Sequence, residues 1–176
     1  MMMPILFSLY QILIQTNMIN NRGLIFMDIK QTTDLSSPTY RDALNIRQTV
    51  FVVEQQVPAE LEIDAFENQA RYFVGYDQGQ PVATLRLIDE GHAYHVQRVA
   101  VAKTARHRGY GQLLMQSAAD FAEKVGKQSL ILNAQLTALP FYQKLGFHAT
   151  ATPTFVEAGI EHQEMAKSFK NDSNSL

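Results

Sequence analysis

The sequence predicts one α/β domain of the α+β kind, a mixed central sheet with helices on both faces. Three observations predict it. Three strand-like segments, 71–77, 81–88 and 93–101, are joined only by the turn sequences "DQGQ" and "DEGH", which reads as an antiparallel meander. A periodic helical stretch, "GYGQLLMQSAADFAEKVGK", follows the meander. The short, nearly all-apolar "SLILNA" comes next, as expected of a strand inside a sheet.

Size and composition bound the rest. A length of 176 residues suits one domain and is short for two. With 46% hydrophobic and 18% charged residues the chain has the makings of a folded globule. A formal net charge of −2 gives no bulk attraction to nucleic acid or to an anionic membrane. There is no cysteine, so disulfides, thiolate metal sites and a cysteine nucleophile are excluded, and a cytoplasmic home is compatible with that. The histidines, His92, His95, His107, His148 and His162, form no HExxH or HxH pair, so no metal site is expected.

Residues 1–26 read as a leader or a mis-assigned start outside the fold. "MMMPILFSLYQILI" is apolar but short for a bilayer span, and it lacks a basic n-region and a cleavage site. "QTNMINNRGLIF" reads as linker, and "MDIKQTT" as a fresh start and first strand, which makes Met27 the expected first residue. A weak membrane anchor or partner-binding helix is the alternative for this segment. The domain is expected over 27–170, with 171–176 a frayed tail.

"SSPTYRDALNIRQTVFVVEQ" reads as a helix capped by Ser37, with Pro38 at its first position. Ala43, Leu44, Arg47, Val50 and Phe51 recur at helical spacing. "QQVPAELEIDAFENQA" reads as an acidic loop with a short helical turn. In the third meander strand, Tyr94 and Val96 are out of phase with Val99 and Val101. Two readings stand side by side: a β-bulge near Gln97–Arg98, or a strand buried on both faces. After the long helix, ended by Gly126, and "SLILNA", Thr137 is expected to cap "ALPFYQKL", which stops at Gly146. "FHATAT" and "HQEMAKSF" read as closing strands.

The chemistry points to residues 106–111, "RHRGYG". A helix N-terminus offers unpaired N–H groups and partial positive charge. Gly109 and Gly111 let an anion approach the backbone, while Arg106, Arg108 and Lys103 add charge. The strand–basic turn–helix context favours a phosphate, and a pyrophosphate in particular, over a merely solvated loop. GxxxxGK[ST] and a dinucleotide GxGxxG are both absent.

"VAVAKTARHRGYGQLLM" resembles the coenzyme A-binding motif of the GNAT superfamily of N-acetyltransferases, Q/R-x-x-G-x-G/A, here Arg106, Gly109 and Gly111. "NAQLTALPFYQKLGF" is similar to the family's second landmark, and "VFVVEQQVP" and "FVEAGIEHQEM" resemble the small bacterial ElaA-like branch. The resemblance covers roughly residues 28–169 and implies the GNAT acyl-CoA N-acyltransferase fold, with acetyl-CoA as cosubstrate and no metal. It implies that the pyrophosphate meets Arg106, His107, Arg108, Gly109, Tyr110, Gly111 and Gln112. The pantetheine arm would pair with Val99, Ala100 and Val101 as an added strand. Asn133 either bonds that arm or merely ends its strand.

The implied reaction is direct attack by an amine on the acetyl carbonyl, aided by a backbone N–H near Val99. Proton transfer from an ammonium (~10.4) to an ordinary carboxylate (~4.3) is uphill by roughly 8 kcal/mol, so a carboxylate base needs a raised pKa, a water relay or an amine that binds neutral, and a histidine lies closer to the working pH. The candidate bases are Glu54, Glu62, Asp64, His95, Glu157 and His162; the resemblance implies an acceptor site near Glu54, which His162 and Glu157 on the closing hairpin could also reach. Tyr142 matches the family's general-acid tyrosine. A phenol (~10) protonating a thiolate (~8.5) is uphill by about 2 kcal/mol, so a donated hydrogen bond is its alternative role. If Gly146 is left-handed, Phe147 should clasp Tyr142.

The sequence thus reads as an acetyl-CoA-dependent N-acetyltransferase, with a non-catalytic acyl-CoA-binding domain as the alternative. Its expected partner is a small-molecule or peptide amine, with no nucleic acid or membrane, and a homodimer is compatible with it. "PAELEIDAFENQ" either draws a cationic amine or is a solvated loop.

Overall fold

The computed structural model describes residues 14–20 and 23–169. Residues 1–13 of the expected leader at 1–26, and the expected tail at 171–176, lie outside the described residues. In chain order the strands are β1 (Ile14–Asn20), β2 (Gly23–Thr32), β3 (Ala70–Asp77), β4 (Gln80–Glu90), β5 (Ala93–Val101), β6 (Ser129–Gln135), β7 (His148–Ala149), β8 (Phe155–Glu157) and β9 (Ile160–Ser168). The helices are α1 (Pro38–Arg47), α2 (Ala59–Glu62), α3 (Tyr110–Lys124) and α4 (Leu139–Lys144). The sheet order is β1-β2-β3-β4-β5-β6-β9-β7, with β8 paired to β9.

The expected layers are present. One face packs Phe73, Leu85, Leu87, Val96, Leu130 and Leu132 against α3. The other packs Tyr72, Val74, Tyr76 and Ile88 against Tyr40, Ala43 and Ile46 of α1. Ser37 caps α1 as read from the sequence: its Oγ accepts from the Tyr40 N–H at 3.1 Å, and Pro38 follows it. Beyond Arg47 the helix does not simply continue. Residues Gln48–Glu54 wind into wider turns, with Gln55 N–H donating to the Val50 carbonyl five residues back at 3.0 Å.

Several expectations need correction. "QTNMINNRGLIF", read as linker, forms most of the β1–β2 hairpin, with Thr16 opposite Met27. Strand pairing is a backbone contact, and an edge strand needs no continuous apolar pattern to make it. Thr137 does not cap α4. A tight turn, Leu136–Ala138, feeds into Leu139, and the cap position is Ala138, without a side-chain bond. Pro140 in the first helical turn leaves one fewer N–H to be satisfied there. "FHATAT" contributes only His148–Ala149 as strand.

The phase slip in β5 is a bulge. Arg86 faces Gln97 and Thr84 faces Ala100, so Arg98 and Val99 together stand opposite one residue of β4. Arg98 has a left-handed φ of 54°. Next to this irregularity the sheet opens. β5 pairs in parallel with β6 only from Ala93/Ser129 to Val96/Leu132. β6 then keeps its other partner, β9, as far as Gln135/His162. The two central strands diverge past Val96 and leave a gap between them.

Candidate active site

A cavity of about 930 Å³ fills that gap. The basic glycine turn closes one end of it, the last turns before β3 flank it, and β6, β8 and β9 form the far wall. Val99, Val101, Asn133 and Tyr142 all line it.

The turn is built as an anion cradle. His107 and Gly109 both take left-handed backbone, at φ 60° and 92°. The first helical bond in this turn runs from Leu113 N–H to Gly109 C=O at 3.1 Å. The N–H groups from Gly109 to Gln112 therefore have no carbonyl one turn behind them. Gly111 lets two elements approach: a Cβ there would sit 3.4 Å from both Phe141 Cζ and Val101 Cγ2. Tyr110 contributes backbone only. Its ring is buried and its hydroxyl donates to Asp77 Oδ2 at 2.7 Å, while burial and that carboxylate raise its pKa.

Arg106 is already engaged. Its Nε donates to the Val101 carbonyl at 3.0 Å, and its Nη atoms meet both oxygens of Glu54 at 2.6 and 2.7 Å. Those hydrogen bonds, with the charge of Lys103, hold the Glu54 carboxyl below the usual range. This is the direction opposite to that required of a proton acceptor from an ammonium.

Tyr142 shows the expected clasp. Gly146 is left-handed at φ 86°, Phe147 N–H donates to the Tyr142 carbonyl at 3.1 Å, and the two rings meet edge to face at 5.9 Å. Burial raises the Tyr142 pKa well above that of a free phenol. The hydroxyl thus holds its proton firmly and serves better as a hydrogen-bond donor.

Two histidines line the cavity with fixed tautomers. His95 Nδ1 lies 2.9 Å from Glu90 Oε1, and His162 Nδ1 lies 2.8 Å from the Ile160 carbonyl. Each of those oxygens accepts, so in the neutral ring each Nδ1 carries the proton and each Nε2 keeps a lone pair. Gln135 Nε2 donates to Gln55 Oε1 at 3.2 Å and ties the two walls together. Asn133 stands beside Glu164 of β9.

The sequence did not reveal a buried ionic network beneath the bulge. Arg47 and Arg86 are 0% and 1% exposed. Arg47 pairs with Glu62 and with Glu67, the latter at 2.8 Å; Arg86 also reaches Glu67 at 2.8 Å and pairs with Asp64. Tyr40 and Tyr72 hydroxyls donate to Glu67 Oε2 at 2.8 and 2.7 Å. Arg98, at the bulge, donates to the Leu61 carbonyl at 3.0 Å and to Asp64 at 3.2 Å. Its Nε lies 3.0 Å from Glu62 Oε2, a charge contact off the line of a hydrogen bond. Glu62 and Asp64, read as candidate bases on an open loop, are thus held by arginines. The one available signal was an arginine at a core position of each element: Arg47 in the helical stripe and Arg86 inside "VATLRLI".

Relatives share this architecture. The family model described as "Acetyltransferase (GNAT) domain" matches residues 35–169. The uncharacterized N-acetyltransferase YjcF of Bacillus subtilis is 39% identical over 127 residues, 72% of this chain and 91% of its own length. An acyl-CoA N-acyltransferase from Pseudomonas aeruginosa superposes with a TM-score of 0.72 at 29% identity, over 81% of this chain and 99% of that one. Escherichia coli ElaA does so with a TM-score of 0.71 at 27% identity, over the same shares. The fold, the glycine turn at the opened strands and these matches agree: the chain belongs to the GNAT family of acetyltransferases, and it is an enzyme of that family.

Proposed function

We propose that the protein moves an acetyl group from acetyl-CoA directly to an amine held beside it in a ternary complex. The observation that carries this reading is the continuity of one cavity. It runs from the N–H cradle at Gly109–Gln112, along the opened edge of β5, to two histidines with free Nε2 atoms.

The residues present fit the coenzyme. Backbone N–H groups from His107 to Gln112, with Arg108 and Lys103 beside them, suit a diphosphate. The strand edge at Val99 and Val101 suits an extended amide-bearing arm, with Asn133 across the gap. The thioester supplies the activated acetyl group. The amine nitrogen bonds to the acetyl carbon and the carbon–sulfur bond breaks. An ammonium acceptor gives up two protons, one ending on the thiol and one reaching solvent.

His95 is our choice of proton acceptor, because it stands three residues before the bulge and Glu90 fixes its tautomer. His162 is the second candidate. Tyr142 would steady the departing sulfur by a hydrogen bond, in keeping with its raised pKa.

The test is calorimetric titration of coenzyme A together with release of free thiol from acetyl-CoA on adding amines. We expect heat of association and amine-dependent thiol release. Tyr142→Phe should keep the coenzyme heat and lower turnover by about 100-fold, the scale of one lost transition-state donor. No association with coenzyme A would overturn the whole reading; unchanged turnover in the Phe variant would remove Tyr142 from it.

A further inference from the structure

We propose that the acceptor is a primary monoamine with an apolar or aromatic body, rather than a polycation. This inference rests on the transfer reading above and concerns the far end of the same cavity.

The acidic loop before β3 invites the opposite conclusion when read as sequence. In the structure the charge of its buried and half-buried carboxylates is already matched. Glu62, Asp64 and Glu67 are met by Arg47, Arg86 and Arg98, three negative charges by three positive ones. Glu60, the remaining carboxylate of the loop, is exposed and does not line the cavity, and Glu54 further upstream is held by Arg106. Among the described residues, Glu157 is the one carboxylate of the lining without an ion pair, and it is exposed on β8. The attacking nitrogen gives up its charge at the thioester, so the charge to be balanced is that of any second ammonium, and Glu157 can meet it only at the rim. A second ammonium lying along the wall short of that rim would meet no unmatched carboxylate, and stripping water from an uncompensated charge is costly.

What the loop does present to the cavity is apolar. Phe51, Val57, Leu61 and Phe66 line this wall, and Leu61 and Phe66 are 51% and 48% exposed. Facing them are the uncharged amides of Asn133 and Gln135. Half-exposed Leu and Phe side chains on a cavity wall gain by covering a hydrocarbon body.

The test compares n-hexylamine with 1,6-diaminohexane, equal in length and differing by one charged end, alongside 2-phenylethylamine and spermidine. Two measurements are made with the full chain: calorimetry of each amine with coenzyme A present, and thiol release from acetyl-CoA. We expect hexylamine and phenylethylamine to bind at least tenfold more tightly than the diamine and spermidine, and kcat/KM to follow the same order. Phe66→Ala should weaken hexylamine binding several-fold and leave coenzyme A binding unchanged. Equal or tighter binding of the diamine or spermidine overturns the proposal. Absent thiol release with the affinity order intact would instead overturn the transfer reading and leave the acceptor class standing.

Discussion

At the scale of single residues, the same side chains carry different roles once their partners are known. Glu54 sits where the sequence suggests a base, but its oxygens are occupied by Arg106 within the turn we propose for the diphosphate. It acts there as an internal anion. Glu54→Gln should therefore strengthen coenzyme A binding by several-fold, since a diphosphate no longer shares Arg106 with a carboxylate, and kcat should stay within about threefold. His95→Gln should leave coenzyme A binding unchanged and lower kcat by about 100-fold or more, the range of a lost general base. A large loss of kcat in the Glu54 variant with wild-type kcat in the His95 variant would reverse the two assignments. Much of this scale was legible in the sequence: Ser37, the two glycines of the turn and the Tyr142–Phe147 clasp follow from rules linking a few neighbouring residues. The Glu54–Arg106 contact was not, because its partners are 52 residues apart.

At the scale of elements, the bulge in β5 is where local backbone and distant charges meet. The sequence signalled the bulge through a break in alternation, but a strand buried on both faces would break it too, and only the pairing of Arg86 with Gln97 and Thr84 with Ala100 decides between them. It did not expose the wide turns at Gln48–Glu54, since apolar spacing hardly differs between a helix bonded to the fourth residue and one bonded to the fifth. Arg98 holds its left-handed backbone while its side chain joins Leu61 and Asp64. A non-glycine residue in that region costs about 1–2 kcal/mol. Both Arg98→Gly and Arg98→Ala lose the side-chain contacts, but glycine also relieves the backbone. Urea unfolding should rank wild type above Gly and Gly above Ala, with the last two separated by about 1 kcal/mol. An alanine variant as stable as the glycine one would mean that the backbone there is unstrained.

At the scale of the whole molecule, a net charge of −2 conceals an interior with its own charge balance. The composition reveals the total and not which charges are buried, so the acidic loop looked like surface. Its carboxylates instead fasten that loop to α1, β4 and the bulge. Burial on its own would push the Glu67 pKa up, but hydrogen bonds from Arg47 and Tyr72 outweigh it and hold the group below its ordinary value of 4.5. Asp64 is likewise held below 3.8, burial being outweighed by the Arg86 hydrogen bond. A carboxyl that is more acidic folded than unfolded stabilises the fold above its ordinary pKa, and that contribution drains away as pH falls towards the folded value. Stability should therefore decline from about pH 5 downward. Glu67→Gln leaves two buried arginines short of a counter-charge and should cost about 3–5 kcal/mol at pH 7. As pH falls through the ordinary value of 4.5, Glu67 takes up a proton in the unfolded chain before it does so in the folded one, and the advantage of its charge over glutamine drains away. The stability gap between the two proteins, followed by urea unfolding from pH 7 to 3.5, must then narrow. A gap that stays constant across that range would mean that Glu67 is not charged in the folded protein, and that the arginines are balanced by other groups.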